Sequence, residues 1–124
     1  MYKFLDGIPI YIQIASELKN RIIGGQLKPG DKLPSVREIA EEFSVNPNTA
    51  QRVFIELDKD GITYIERGVG AFVKEDGNMV EQLLQQEAGK IRSRFIEEAK
   101  KLGLTLEEII QDLTTHWEQG GEQK

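Results

Sequence analysis

The stretch Val45-Asn46-Pro47-Asn48-Thr49-Ala50-Gln51-Arg52 decides how this chain is read. Asn46 is a fitting helix N-cap, and Pro47 fits the first helical position, where its missing N–H costs nothing. Apolar residues return only at Ala50, Val53, Phe54 and Leu57. That spacing gives a helix with one buried stripe and leaves Asn48, Thr49, Gln51 and Arg52 facing outward.

Working outward, Ser35 with Glu38 three residues on forms a capping-box pattern. Val36, Ile39, Ala40 and Phe43 supply the apolar face of the short helix that follows it. Ser44-Val45 turns this helix into the next, which is the helix-turn-helix arrangement. Before it, residues 10–23 carry Tyr11, Ile14, Ala15, Leu18 and Ile22 at helical spacing, and Gly24-Gly25 ends that run. Pro29-Gly30 marks a turn between Leu27 and Leu33. After Gly61 the period changes: residues 62–66 and 71–73 read as strands joined by Arg67-Gly68-Val69-Gly70, a hairpin.

The composition shifts near residues 75–78. Beyond it Val80, Leu84, Ala88, Ile91, Phe95, Ala99 and Leu102 follow steps of 4, 4, 3, 4, 4 and 3, a heptad-like stripe. Thr105 with Glu108 repeats the capping box, and Leu106, Ile109, Ile110, Leu113 and Trp117 line a last helix. Residues 120–124 read as a frayed tail. The expected fold is mainly α with a small β-hairpin: a winged helix-turn-helix over 1–76 and a two-helix dimerisation extension over 77–124.

Composition bounds function more loosely. At 124 residues, 39% hydrophobic and 30% charged, the chain reads as an ordinary soluble unit with an appendage. The absence of cysteine excludes disulfides and thiolate metal sites and fits a reducing cytoplasm. No apolar run approaches the roughly 20 residues that span a bilayer, so no membrane partner is expected. Asp6 and Glu17 in the first segment argue against a signal peptide. The net charge of −5 divides as 10 basic against 12 acidic residues over 1–76 and 6 against 9 over 77–124. A polyanion partner therefore requires positive charge gathered on one face.

The outward residues have that chemistry. In a helix-turn-helix the second helix presents its start to base edges in the major groove. Asn and Gln pair with adenine there, and Arg with guanine. Unbonded N–H groups in the first turn suit a phosphate oxygen. Arg37 lies on the preceding helix, and Arg67 beside Gly68 sits at a hairpin tip sized for a minor groove. The plainer readings stay open: Asn46 as a cap alone, Arg52 paired with Glu56, Arg67 as a solvated turn residue. No nucleophile–base pair stands out. His116 near Asp112, Glu107 and Glu108 reads as a solvated helix face before it reads as a metal site, so no enzyme, metal or cofactor is expected.

The ordered set Tyr11-x-Gln13-Ile14, Pro29-Gly30-Asp31-x-Leu33-Pro34-Ser35-x-Arg37-Glu38-Ile39-Ala40, Val45-Asn46-Pro47-Asn48-Thr49 and Arg67-Gly68-x-Gly70-x-Phe72-Val73 resembles the GntR family of bacterial transcription regulators, and its YtrA-like subfamily in particular. The resemblance implies operator contacts at Ser35, Arg37, Asn46, Asn48, Thr49, Gln51, Arg52, Arg67 and Gly68. Pro47 stands where other subfamilies carry a polar contact residue, and Ala71 where a threonine is common, so base preference does not transfer from them. The apolar stripes of the last two helices need a partner, and a second copy is the simplest, which places Val80, Leu84, Ala88, Ile91, Phe95, Ala99, Leu102, Ile109, Leu113 and Trp117 at a dimer interface; the resemblance likewise implies a homodimer through this helical pair. Two helices leave little room for the pocket of about 300 Å³ or more that a small effector needs, and the resemblance names no effector. The expected function is a dimeric, sequence-specific repressor on double-stranded DNA with an inverted-repeat operator, acting on its own gene and transporter genes. The rival is a winged-helix adaptor that binds protein.

Overall fold

The computed structural model describes residues 2–122, with side chains to residue 119. The elements run α1 (Ile10–Ile23), α2 (Val36–Phe43), α3 (Pro47–Lys59), β1 (Thr63–Glu66), β2 (Gly70–Val73), α4 (Met79–Lys101) and α5 (Leu106–Glu122). Helix α5 continues into the expected tail as far as Glu122, and Gln123 and Lys124 lie outside the described residues. The chain divides into two compact units, Met1–Gln85 and Gln86–Lys124.

The first unit closes around the apolar stripes of its helices. Ile14, Leu18 and Ile22 of α1, Ile39 and Phe43 of α2, and Ala50, Val53 and Leu57 of α3 are all buried. The buried Gln13 turns its amide on the preceding segment, accepting from Leu5 N at 2.8 Å and donating to the Leu5 and Ile8 carbonyls. Residues 2–9 are thereby tied down rather than left free, and Tyr2 sets its ring edge-on to Phe43 at 5.1 Å.

The hairpin pairs Thr63 with Val73 and Glu66 with Gly70. Gly68 takes φ +79° at the third position of the 66–69 turn, where a side chain is disfavoured. The sheet gains a third edge that local periodicity does not show. Gly30 N donates to Val73 O, Leu33 N to Ala71 O and Val73 N to Asp31 O, and Lys32 bridges Phe72. The Pro29-Gly30 turn thus feeds a short edge segment that carries Leu33 into the core, 3% exposed.

The first unit takes in the start of α4 because Met79 and Leu83 are buried in its core and Val80 packs against it. In the second unit α4 ends at a left-handed Gly103, with Leu104 N bonded back to Ala99 O. The second capping box then forms: Glu108 N donates to Thr105 Oγ1, and Thr105 N to Glu108 Oε1. Among the described residues no helix is long and apolar enough to cross a membrane.

Candidate nucleic-acid interface

Helix α2 begins in the capping box expected for it. Glu38 N donates to Ser35 Oγ at 3.1 Å, and Ser35 N to Glu38 Oε1 at 2.8 Å. These bonds hold the Glu38 carboxyl below its ordinary value, the backbone N–H of Ser35 first and its hydroxyl second. The Ser35 hydroxyl is thus engaged within the cap, its Oγ accepting from Glu38 N. The next two amides, Val36 and Arg37, bond nothing among the described residues. The start of α2 is the free donor edge of the motif.

Helix α3 differs in this respect from the sequence expectation. Pro47 has no N–H, Asn48 N donates to Asn46 Oδ1 at 2.7 Å, and Thr49 N donates to Asn46 O at 2.9 Å. The first turn of α3 has no spare backbone donor, so phosphate capture by its amides is ruled out. Asn46 serves first as the cap, with only its amide NH₂ group left to offer. What α3 presents is side chains: Asn48, Gln51 and Arg52 are exposed and Thr49 is half-buried. Behind them Ala50, Val53 and Leu57 are fully buried. The turn between the helices depends on Ser44 in a left-handed conformation, φ +54°, closed by Val45 N bonding to Ala40 O.

The arginines are placed differently from one another. Arg37 is 89% exposed and only loosely paired with Glu41, at 3.7 Å. Arg52 does not pair with Glu56, whose carboxylate is 3.2 Å from Lys59 Nζ. Its guanidinium instead lies over the Tyr11 ring, with Cζ 4.0 Å from the centroid. Arg67 and Gly68 are exposed at the hairpin tip.

A groove of about 200 Å³ runs between the start of α2, α3 and the hairpin, lined by Lys32, Ser35, Val36, Gln51, Phe54, Ile65 and Val69 among others. Lys32 is a cation that sequence reasoning passed over. Its stem crosses Gly70, where an added Cβ would meet Lys32 Cε at 2.8 Å, so glycine there makes room for the lysine. The bonds of residues 30–33 to β2, with Lys32 paired to Phe72, bring it to the hairpin, and such long-range pairing leaves no local signal.

The stripe assigned to dimerisation is in part covered by the chain itself. Val80 packs on the first unit's core, Ala99 is buried, and Ala88 and Ile109 are half-buried. Leu84, Ile91, Phe95, Leu102, Leu113 and Trp117 are exposed, and Ile96 and Leu104 add to them. His116 Nδ1 lies 2.9 Å from the Asp112 carbonyl, and no cluster among the described residues could hold a metal ion.

Known proteins resemble most of the chain. Residues 10–73 match the family described as bacterial regulatory proteins, gntR family. The uncharacterized HTH-type transcriptional regulator YhcF of Bacillus subtilis is 41% identical over 118 residues, covering 95% of this chain and 98% of that protein. The HTH-type transcriptional repressor YtrA of the same organism is 37% identical, covering 82% and 78%. A GntR family transcriptional regulator from Listeria monocytogenes superposes with a TM-score of 0.80 at 41% identity, over 90% of this chain and 98% of that one.

Proposed function

The chain belongs to the GntR family of bacterial regulatory proteins, in its YtrA-like group, and is a DNA-binding transcription regulator rather than an enzyme; from that premise we propose that it is a homodimeric repressor of an inverted-repeat operator. Residues 1–76 supply the DNA contacts and residues 77–124 the dimer. The observation that carries the reading is the division of α3: Ala50, Val53 and Leu57 are fully buried, while Asn48, Gln51 and Arg52 have no duty in the core.

In this reading α3 enters the major groove, with Asn48, Gln51 and Arg52 at base edges and Thr49 beside them. Ser35, Arg37 and the free amides of α2 take a phosphate. Lys32 reaches the backbone from the groove, and Arg67 with Gly68 reaches a neighbouring minor groove. A two-fold pair sets two recognition helices about 34 Å, or a multiple of it, apart on the duplex. Repression is supported by the repressor YtrA, 37% identical. The chain's own gene and transporter genes are the expected targets, and the cytoplasm is the place of action.

The adaptor reading has one observation in its favour: Ile65 and Val69 expose apolar surface at the hairpin, 53% and 51%. Selection of binders from a random duplex pool, followed by salt titration, separates the two. A DNA regulator selects an inverted repeat, and log K falls with log salt at a slope near −0.9 per phosphate neutralised. Arg37→Ala makes that slope shallower by about one. No shared sequence and a flat salt response establish the adaptor instead.

A further inference from the structure

We infer that Tyr11 is a positioning residue for base reading, holding the Arg52 guanidinium in the orientation it uses on DNA. The inference rests on the proposal that α3 reads base edges. Arg52 Cζ lies 4.0 Å from the centre of the Tyr11 ring, well inside the range of a cation–π contact. Tyr11 is half-buried near the start of α1, a helix packed on α3, so the ring is a fixed platform. Arg52 itself is exposed and makes no ion pair among the described residues.

The geometry matters because a guanidinium has two kinds of surface. Stacking occupies a face, whereas bidentate recognition of guanine uses the N–H groups of an edge. An arginine held by its face therefore keeps its donors unspent. A carboxylate partner would consume the same donors, and the nearest candidate along the helix, Glu56, is engaged by Lys59. A long side chain free in solvent loses rotamer freedom on binding, and a stacked one has lost part of it already. Arg37, 89% exposed, has no such platform.

The test is a cycle of Tyr11→Leu, Tyr11→Phe, Arg52→Ala and the double variant Tyr11→Leu/Arg52→Ala in the full chain, on the selected operator and on its single-base variants. Tyr11→Leu is expected to weaken operator binding about threefold to tenfold. It relaxes preference at the same base pair that Arg52→Ala relaxes, and at no other. Tyr11→Phe keeps the ring and binds like the natural chain. The double variant binds no worse than Arg52→Ala alone. If Tyr11→Leu leaves base preference intact, or its loss adds fully to that of Arg52→Ala, the positioning role is overturned and Tyr11 is a packing residue. If Arg52→Ala changes neither affinity nor preference, base reading by Arg52 fails and the positioning role fails with it. Thermal denaturation, without DNA, of the natural chain, Tyr11→Leu, Arg52→Ala and the double variant reads the stack itself by the coupling of the two substitutions.

Discussion

Ile91→Glu is expected to leave the winged-helix unit folded and to abolish pairing. Ile91 is 66% exposed in the single chain and lies outside the unit that ends at Gln85. A substitution at so exposed a site changes folding of that unit by no more than about 0.5 kcal/mol. In a dimer built on the α4–α5 stripe the same side chain is buried. Covering the exposed two-thirds of an isoleucine contributes roughly 1–2 kcal/mol. Two-fold symmetry counts it twice. A glutamate in its place forfeits this and adds the desolvation of two carboxylates, several kcal/mol in total. The dimer dissociation constant should rise at least about 100-fold. Sedimentation equilibrium at micromolar concentration reads the change directly, with urea denaturation as the folding control. Operator titration follows, because a monomer engages one half-site and loses the second set of contacts. A sedimentation profile like that of the natural chain refutes the stripe as the interface. A true monomer that binds the full operator at natural strength refutes the need for two half-sites.

Two further outcomes concern the fold beneath the site. The Glu38 carboxyl is held below its ordinary value of 4.5, so its share of capping-box stability is complete above that value and is lost as pH falls through the lower folded value. Glu38→Gln does not titrate, and the denaturation midpoints of the two proteins should converge on going from about pH 7 to about pH 3; a constant difference refutes the linkage. Leu83→Ala, in a side chain 2% exposed, should cost about 2–5 kcal/mol in urea denaturation of the Ile91→Glu monomer, whereas Leu84→Ala, 41% exposed, should cost far less. Equal losses would mean that α4 meets the first unit by a different face.

Most elements were legible because each is announced locally. Ile10–Ile23 ends at paired glycines, Asn46-Pro47 opens α3, and the change from helical spacing to β-branched alternation marks the hairpin. What escaped depends on distance or on competition for one atom. The edge segment that brings Lys32 to Phe72 joins residues 40 apart, through backbone bonds that local spacing does not announce. The α4 stripe was read as one line, yet apolar residues occupy both the 79/83 and the 80/84 positions, and spacing does not say which pair meets the core. The structure buries Met79 and Leu83. The general rule for helix starts leaves the first-turn donors of α3 free, but the Asn46 side chain and carbonyl claim two of them and Pro47 removes a third. Arg52 had a carboxylate four residues on and an aromatic forty-one residues back, and only packing of α1 on α3 decides for the ring.

The overall charge of −5 is compatible with a polyanion partner because the cations are used unequally. Lys19, 6% exposed, is bound to Asp60, and Arg21 bridges Glu17 and Glu42, contacts that tie the helices of the first unit to one another. Their charge is neutralised at short range. Lys32, Arg52 and Arg67 meet no carboxylate within ion-pair distance among the described residues: one crosses a glycine, one covers a tyrosine, one stands at a hairpin tip. Charge neutralised by a close partner contributes little at a distance, while charge without one stays available to an approaching phosphate within the screening length of about 8–10 Å. If α3 and the hairpin tip form the DNA face, as proposed, these three cations are the ones an acidic chain has left to meet a phosphate.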